Sequence, residues 1–189
     1  MSSRILLFFF AMLILAGMGC KTTPKEPTNK IEDYDPVMKS LLRTDSGLFR
    51  GANLGMNLST VKALEKAMKP DEEENNYLSY GIAFKDTIQC SYYYNFETDG
   101  LDEIGINIYR TKAKELDWLF SSLKHYFTKK YGEPRQENNL LVWYVKNQGK
   151  EGAEITLGDE SKDYSYGELT ITIFPFQSEV DPTEKEAKP

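Results

Sequence analysis

The sequence predicts an α+β fold in which two consecutive α-β-β-β units form an antiparallel sheet with the helices packed on one face. Two segments, near residues 58–68 and 112–131, carry apolar residues at the three- and four-residue spacing of an amphipathic helix. Each is followed by segments in which apolar and polar residues alternate, as they do in half-buried strands. We therefore expect one domain over residues 34–178, with units at about 48–110 and 111–176.

The N-terminus has the pattern of a bacterial lipoprotein signal peptide over residues 1–19. Arg4 supplies a positive charge, an apolar run extends from Ile5 to Ala16, and small residues lead to Cys20. The run is shorter than the roughly 20 apolar residues of a membrane-spanning helix. We expect lipid on Cys20 to anchor the protein to a membrane, outward-facing in the periplasm or at the cell surface. The alternatives are a secretory signal that leaves Cys20 as a free thiol and an uncleaved anchor helix.

Two polar segments flank the predicted domain. Residues 20–33 and 179–189 consist mainly of Thr, Pro, Lys, Glu, Asp and Asn. Such segments contain too little apolar surface to offset the entropy that ordering costs. We expect the first to be a flexible tether and the second a disordered tail.

The first two helices are predicted from their capping residues. Asp35 and Pro36 begin a short helix that ends near Arg43. Asn57 begins a second helix, which Pro70 ends.

The strands of the first unit follow from alternation. They are expected at Leu78–Phe84, Ile88–Phe96 and Ile104–Ile108, with a hairpin turn at Asp99–Gly100. The segment Leu48–Asn53 fits a short additional strand. The acidic run Asp71–Glu74 is expected to be a solvated loop.

The second unit begins with a longer helix from about Lys112. Gly132 and Pro134 end this helix, the first as a C-cap and the second as a helix breaker. Further strands are expected at Leu140–Lys146, Ala153–Leu157 and Glu168–Phe176.

The composition excludes several classes of partner. The net charge is −6, and loss of Arg4 with the signal makes it one unit more negative. A nucleic-acid-binding protein would show a basic stripe, so we expect no nucleic-acid partner. With Cys20 modified, Cys90 has no disulfide partner and is expected in the core. No spacing of ligands indicates a metal site, and no cofactor is expected.

No catalytic constellation is visible in the sequence. The single histidine, His125, lies opposite the apolar stripe of the second-unit helix and is expected to face water. Neither a nucleophile elbow nor a phosphate-binding glycine loop is present. We therefore expect a binding protein rather than an enzyme. A weak hydrolase that uses paired carboxylates is one alternative, and a binder of a small ligand or cell-wall fragment is another.

Two surfaces are candidates for binding a partner. Trp118 lies on the outward side of its helix, and exposed tryptophan is enriched at interface hot spots. Packing of Trp118 under the Pro36 helix or the tether is the alternative. The second candidate is the polar face of the sheet, where Tyr93, Tyr109 and Phe174 occur among hydroxyl and amide side chains. Cross-strand aromatic pairs that only stabilise the sheet are the alternative there.

Three short motifs carry a family resemblance over roughly Phe49 to Phe176. They are Gly-Met-Asn-Leu-Ser-Thr-Val at Gly55–Val61, Asp-Gly-Leu at Asp99–Leu101, and Lys-Tyr-Gly-Glu-Pro at Lys130–Pro134. Together they resemble small envelope lipoproteins of the SmpA/OmlA type. Two such units in tandem resemble the architecture of β-lactamase inhibitor proteins. The resemblance implies a non-catalytic module that binds another envelope protein. By the same analogy, Lys21 after the lipidated cysteine implies the outer membrane in a cell that has two.

Overall fold

One eight-stranded antiparallel sheet dominates the computed structural model, which describes residues 30–84, 88–98, 100–111, 116–147, 150–161 and 166–176. The strand order is β1-β2-β3-β4-β8-β7-β6-β5. The strands are β1 (Glu72–Glu74), β2 (Tyr77–Ala83), β3 (Gln89–Glu97), β4 (Gly100–Arg110), β5 (Arg135–Glu137), β6 (Leu140–Asn147), β7 (Lys150–Asp159) and β8 (Gly167–Phe176). The described helices are α1 (Pro36–Leu42), α2 (Leu58–Leu64) and α3 (Asp117–Tyr131), preceded by a 3-10 turn at Ile31–Asp33.

The predicted α+β fold of tandem α-β-β-β units is wrong. Pairing of β4 with β8, in which Ile106 faces Ile171, joins all the strands into a single sheet. The short strands β1 and β5 extend this sheet at its two edges. The acidic run was expected to be a loop, but an edge strand needs backbone hydrogen bonds on one side only. Its exposed glutamate side chains therefore stay in water while the backbone pairs.

The hydrophobic core lies between the helices and one face of the sheet. Alternation places Leu78, Tyr92, Tyr94 and Ile106 on this face, as predicted, and each is almost completely buried. Cys90 lies among them, and burial raises the pKa of its thiol to about 12. Its burial confirms the prediction that Cys90 lies in the core.

The helix caps agree with the sequence. The Asp35 carboxylate accepts hydrogen bonds from the backbone N–H groups of Val37 and Met38, at 2.8 and 3.1 Å. The Asn57 side-chain oxygen accepts a hydrogen bond from the N–H of Thr60 at 2.9 Å. However, α2 ends at Leu64, well before Pro70.

The C-terminus of α3 also agrees with the sequence. Gly132 adopts a φ of +94°, in the region that favours glycine, and its N–H donates to the carbonyl of Thr128. The predicted start of this helix near Lys112, and Asp99 of the predicted hairpin, lie outside the described residues.

The segment predicted as a strand at Leu48–Asn53 is instead a tight turn. Its only strand-like feature is an isolated bridge between Phe49 and Ala52. Arg50 and Gly51 at the tip have φ values of +51° and +90°. A positive φ is unfavourable for arginine by about 1–3 kcal/mol, so other contacts must stabilise this turn.

Those contacts come from a buried ion pair between Arg50 and Glu65, the residue that caps α2. Arg50 Nε donates to Glu65 Oε1 at 2.8 Å, and Nη2 donates to Oε2 at 3.1 Å. Arg50 Nη1 also donates to the carbonyls of Ser40 and Leu41 in α1, while Tyr94 of β3 donates its hydroxyl to Glu65 Oε1 at 2.8 Å. The pair therefore connects the turn, α1, α2 and the sheet.

We predict that Glu65→Gln lowers the free energy of unfolding by about 3–5 kcal/mol, because the buried Arg50 guanidinium loses its counter-charge. Urea denaturation measures this loss. Glu73→Gln is the matched control, since Glu73 pairs with Lys62 and both side chains are at least 40% exposed. The control should change stability by less than about 1 kcal/mol. Equal effects of the two substitutions would contradict the role given to the buried pair.

Candidate functional site

The face of the sheet opposite the helices is here called the open face, because no described helix packs on it. Its central positions include Asn107, Thr170 and Thr172, all half-buried. Cross-strand register places Asn107 beside Thr170, and Thr172 beside Gly105. The open face is thus a broad surface of hydroxyl, amide and aromatic side chains.

Tyr93 lies over Gly105 at the centre of β3 and β4. A Cβ atom on Gly105 would come within 2.1 Å of the Tyr93 ring, so only glycine leaves room for it. The ring stacks on Tyr77 with centroids 5.8 Å apart, and its hydroxyl donates to Glu103 Oε1 at 2.8 Å. Burial, followed by this hydrogen bond, raises the pKa of Tyr93 to about 12.

Tyrosine pairs with glutamate at two further places on the open face. Tyr109 lies beside Glu168 in the β4–β8 register, and burial, followed by the charge of Glu168, raises the pKa of Tyr109. Tyr144 donates its hydroxyl to Glu137 Oε1 at 3.1 Å. A second aromatic ring accompanies each tyrosine, Tyr166 at 6.3 Å from Tyr109 and Phe176 at 4.6 Å from Tyr144. The open face therefore carries three tyrosine–glutamate pairs.

One of these pairs holds a cation. The guanidinium carbon of Arg135 lies 5.5 Å from the centroid of the Tyr144 ring, within the range of a cation–π interaction. Arg135 and Glu137 both belong to the edge strand β5 and point to the same face, because strand side chains alternate. Arg135, Tyr144 and Glu137 thus form one local unit.

Among the side chains that the structure describes, negative charge predominates on the open face. Directly paired residues of antiparallel strands point to the same side, so the register identifies the members. The described carboxylates include Glu72, Glu74, Glu97, Glu103, Glu137, Glu154 and Glu168, and the described cations include Arg135 and, near the β6 bulge, Lys146. Burial, followed by the charge of Glu137, raises the pKa of Glu154.

The structure brings three of the four predicted binding residues to one face. Tyr93, Tyr109 and Phe174 lie on β3, β4 and β8 of the open face. Trp118 lies in the first turn of α3, on the other side of the sheet, and is 39% exposed. Trp118 is therefore exposed but does not belong to the same surface.

Sequence reasoning did not identify the glutamates or Tyr144. The period-two spacing of Glu103 with Tyr109, and of Glu168 with Phe174, was visible in the sequence. Their cross-strand partners depend on the pairing of β4 with β8, which the sequence does not state.

The prediction that His125 faces water is wrong. His125 is half-buried, and its Nε2 atom is buried without a hydrogen-bond partner among the described residues. The Tyr34 ring lies 6.4 Å from the imidazole, because the segment ahead of α1 packs over this side of α3. Helical periodicity could not reveal a covering segment from elsewhere in the chain.

A cleft of about 1340 Å³ lies at one end of the sheet, beside the turn before α2 and the end of α3. Its lining mixes apolar side chains such as Leu54 and Met56 with the carboxylates of Asp45, Glu97 and Asp102. Lys130 also lines it, but its ammonium group already donates to the Gly47 carbonyl at 2.8 Å. His125 is not among the lining residues.

Within the described ranges, no group of three or more His, Cys, Asp or Glu side chains is placed to hold a metal ion. In the same part of the chain, no helix is long and apolar enough to cross a membrane. Comparisons with models of protein families, with curated proteins and with solved structures found no match to this chain. The resemblance to envelope lipoproteins therefore stays a prediction.

We predict that Gly105→Ala displaces the Tyr93 ring and lowers the free energy of unfolding by about 1–3 kcal/mol, as overpacking does. Nuclear magnetic resonance of the tyrosine ring protons and thermal unfolding measure the two effects. Gly81→Ala on neighbouring β2 is the control, because its Cβ would meet only the movable end of the Asp71 side chain. An unmoved Tyr93 ring in Gly105→Ala would show that the packing described here is wrong.

Proposed function

We propose that this chain is a lipid-anchored protein of the cell envelope that binds another protein through the open face and catalyses no reaction. The observation that carries this proposal is a sheet face on which no described helix packs and which carries three tyrosine–glutamate pairs. Tyrosine is enriched at protein interfaces because it offers a large, rigid contact area with a polar end. An arrangement that only stabilised the sheet would not require the excess of carboxylates.

The size of the open face suits a protein partner. Eight strands at a spacing of about 4.8 Å give a width of about 34 Å. A stable interface needs about 800 Å² on each partner, which is a fraction of such a surface. The broad face therefore favours a macromolecule over a small ligand.

The proposed anchor would keep this face close to a membrane. Ile31 is the first buried residue of the described chain, eleven residues after Cys20. A fully extended chain of that length spans at most about 40 Å. A lipid on Cys20 would therefore restrict the domain to partners within that distance of the bilayer, and several acyl chains would make the attachment stable.

Binding of a small ligand or cell-wall fragment is the second candidate, and the cleft beside α3 is the observation that favours it. Because carboxylates line this cleft, a carboxylate-dependent hydrolase is a further hypothesis. We rank both lower, because Lys130, which could bind an anionic group there, is already hydrogen-bonded within the chain.

Site-specific photo-cross-linking in intact cells tests the proposed face. A photoreactive phenylalanine analogue at Asn107 should give a discrete cross-linked protein. The same analogue at Lys66, an exposed position beside α2, is the control and should give none. Capture from Trp118 and not from Asn107 would contradict the proposal and assign binding to α3.

A separate substitution tests the anchor. We expect Cys20→Ser to move the protein from the membrane fraction to the soluble fraction, because no lipid can be attached to serine. Its unfolding midpoint should stay unchanged, since Cys90 is the cysteine of the core and forms no disulfide. Cys90→Ala is the control and should leave the protein in the membrane fraction. Retention of Cys20→Ser on the membrane would contradict lipid anchoring.

A further inference from the structure

We propose that the partner of the open face presents a cationic surface, whose arginine or lysine side chains lie on the rings of Tyr93 and Tyr109 beside Glu103 and Glu168. This inference rests on the proposed function and adds the chemical class of the partner. The groups that carry it are the three tyrosine–glutamate pairs and the charge of the face around them.

The Tyr144 pair shows how such a side chain would be bound. There the guanidinium of Arg135 lies over the tyrosine ring, and the tyrosine hydroxyl donates to Glu137. A cation over a ring is attracted to its negative face, and a carboxylate at the ring edge adds a second attraction. The chain therefore contains, on this same face, one complete example of the proposed contact.

The other two pairs have the same arrangement without the cation. Tyr93 donates its hydroxyl to Glu103, and Tyr109 lies directly beside Glu168 in the β4–β8 register. Within the part of the chain that the structure describes, neither glutamate forms an ion pair, and neither ring has a cation over it. Among the described residues, nothing occupies the place at these two pairs that Arg135 takes at Tyr144.

The distribution of charge over the two faces supports the same conclusion. On the helical side, Glu65 pairs with Arg43 and Arg50, and Glu73 pairs with Lys62. The glutamates of the open face have no such partners among the described residues. An excess of one sign on one surface accelerates association with a surface of the opposite sign and disfavours other partners.

Neighbouring acids strengthen the site at Tyr93. Glu72 and Glu74 of β1 share the face with Tyr77, whose ring stacks on Tyr93. Burial, followed by the charge of Glu72, raises the pKa of Tyr77. A cation bound over these rings would therefore lie near three carboxylates, which favours an arginine- or lysine-rich surface over a neutral one.

A defined peptide tests the inference directly. The probe is a capped (Arg-Gly)6 peptide carrying a neutral fluorophore, and its citrulline counterpart has nearly the same shape without the charge. Fluorescence anisotropy with the full lipidated chain in neutral detergent gives the dissociation constant. We expect the arginine peptide to bind, the citrulline peptide not to bind, and added sodium chloride to weaken binding.

Matched variants assign the binding to the open face. Glu103→Gln with Glu168→Gln keeps the size of both side chains and the oxygen that accepts from Tyr93, but removes both charges. It should weaken binding at least about fivefold. Glu32→Gln with Glu133→Gln removes the same amount of charge from exposed positions outside the sheet. This control should change the dissociation constant of the peptide by less than about twofold. Equal weakening by both variants would overturn the inference. Failure of the arginine peptide to bind would also overturn the inference. This includes the outcome in which a segment of this chain already covers the face and excludes the peptide.

The cross-linking experiment separates this inference from the proposed function. If Asn107 captures a protein and Glu103→Gln with Glu168→Gln leaves the yield unchanged, the face binds a partner but not through cations. If Asn107 captures nothing, the proposed function itself fails. If the yield of protein cross-linked at Asn107 falls at least about fivefold in the double variant, the result supports both the proposed function and this inference.

Discussion

The rest of the structure depends on the buried ion pair between Arg50 and Glu65. Arg50 occupies a turn with a positive φ, and its guanidinium contacts the C-terminal end of α1 and the Glu65 carboxylate that caps α2. Glu65 in turn accepts a hydrogen bond from the Tyr94 hydroxyl of the sheet. A buried ion pair contributes little net stability, but it tolerates only one geometry. The pair therefore fixes where the first two helices lie on the sheet, and so which face they cover.

The two faces of the sheet consequently differ in how they satisfy their charges. On the helical side, Glu65 and Glu73 have basic partners within the chain, and the strand tyrosines Tyr80, Tyr92 and Tyr94 are buried. On the open face, the Tyr93 and Tyr144 hydroxyls donate to glutamates, and the described carboxylates outnumber the described cations Arg135 and Lys146. A face that needed no partner would gain nothing from this arrangement, since like charges on one surface repel each other.

Local sequence patterns predicted the parts of the fold that depend on neighbouring residues. The caps at Asp35 and Asn57 and the alternation in β3 are confirmed, because each follows from contacts within a few residues. The predicted fold class is wrong because it depends on which strands pair. Neither the backbone pairing of the polar edge strands nor the pairing of β4 with β8 can be deduced from the amino-acid composition. For the same reason Tyr93 and Tyr109 were identified as candidates, whereas their pairing with Glu103 and Glu168 was not.

A binding face of this kind should be covered in the cell and accessible in the purified protein. Carbodiimide labelling of carboxylates, read by mass spectrometry in intact cells and in purified protein, measures this difference. Glu103 and Glu168 should be labelled several-fold less in cells, while exposed Glu133 should be labelled equally in both. Equal labelling of Glu103 and Glu168 in the two samples would show that the open face carries no partner in the envelope.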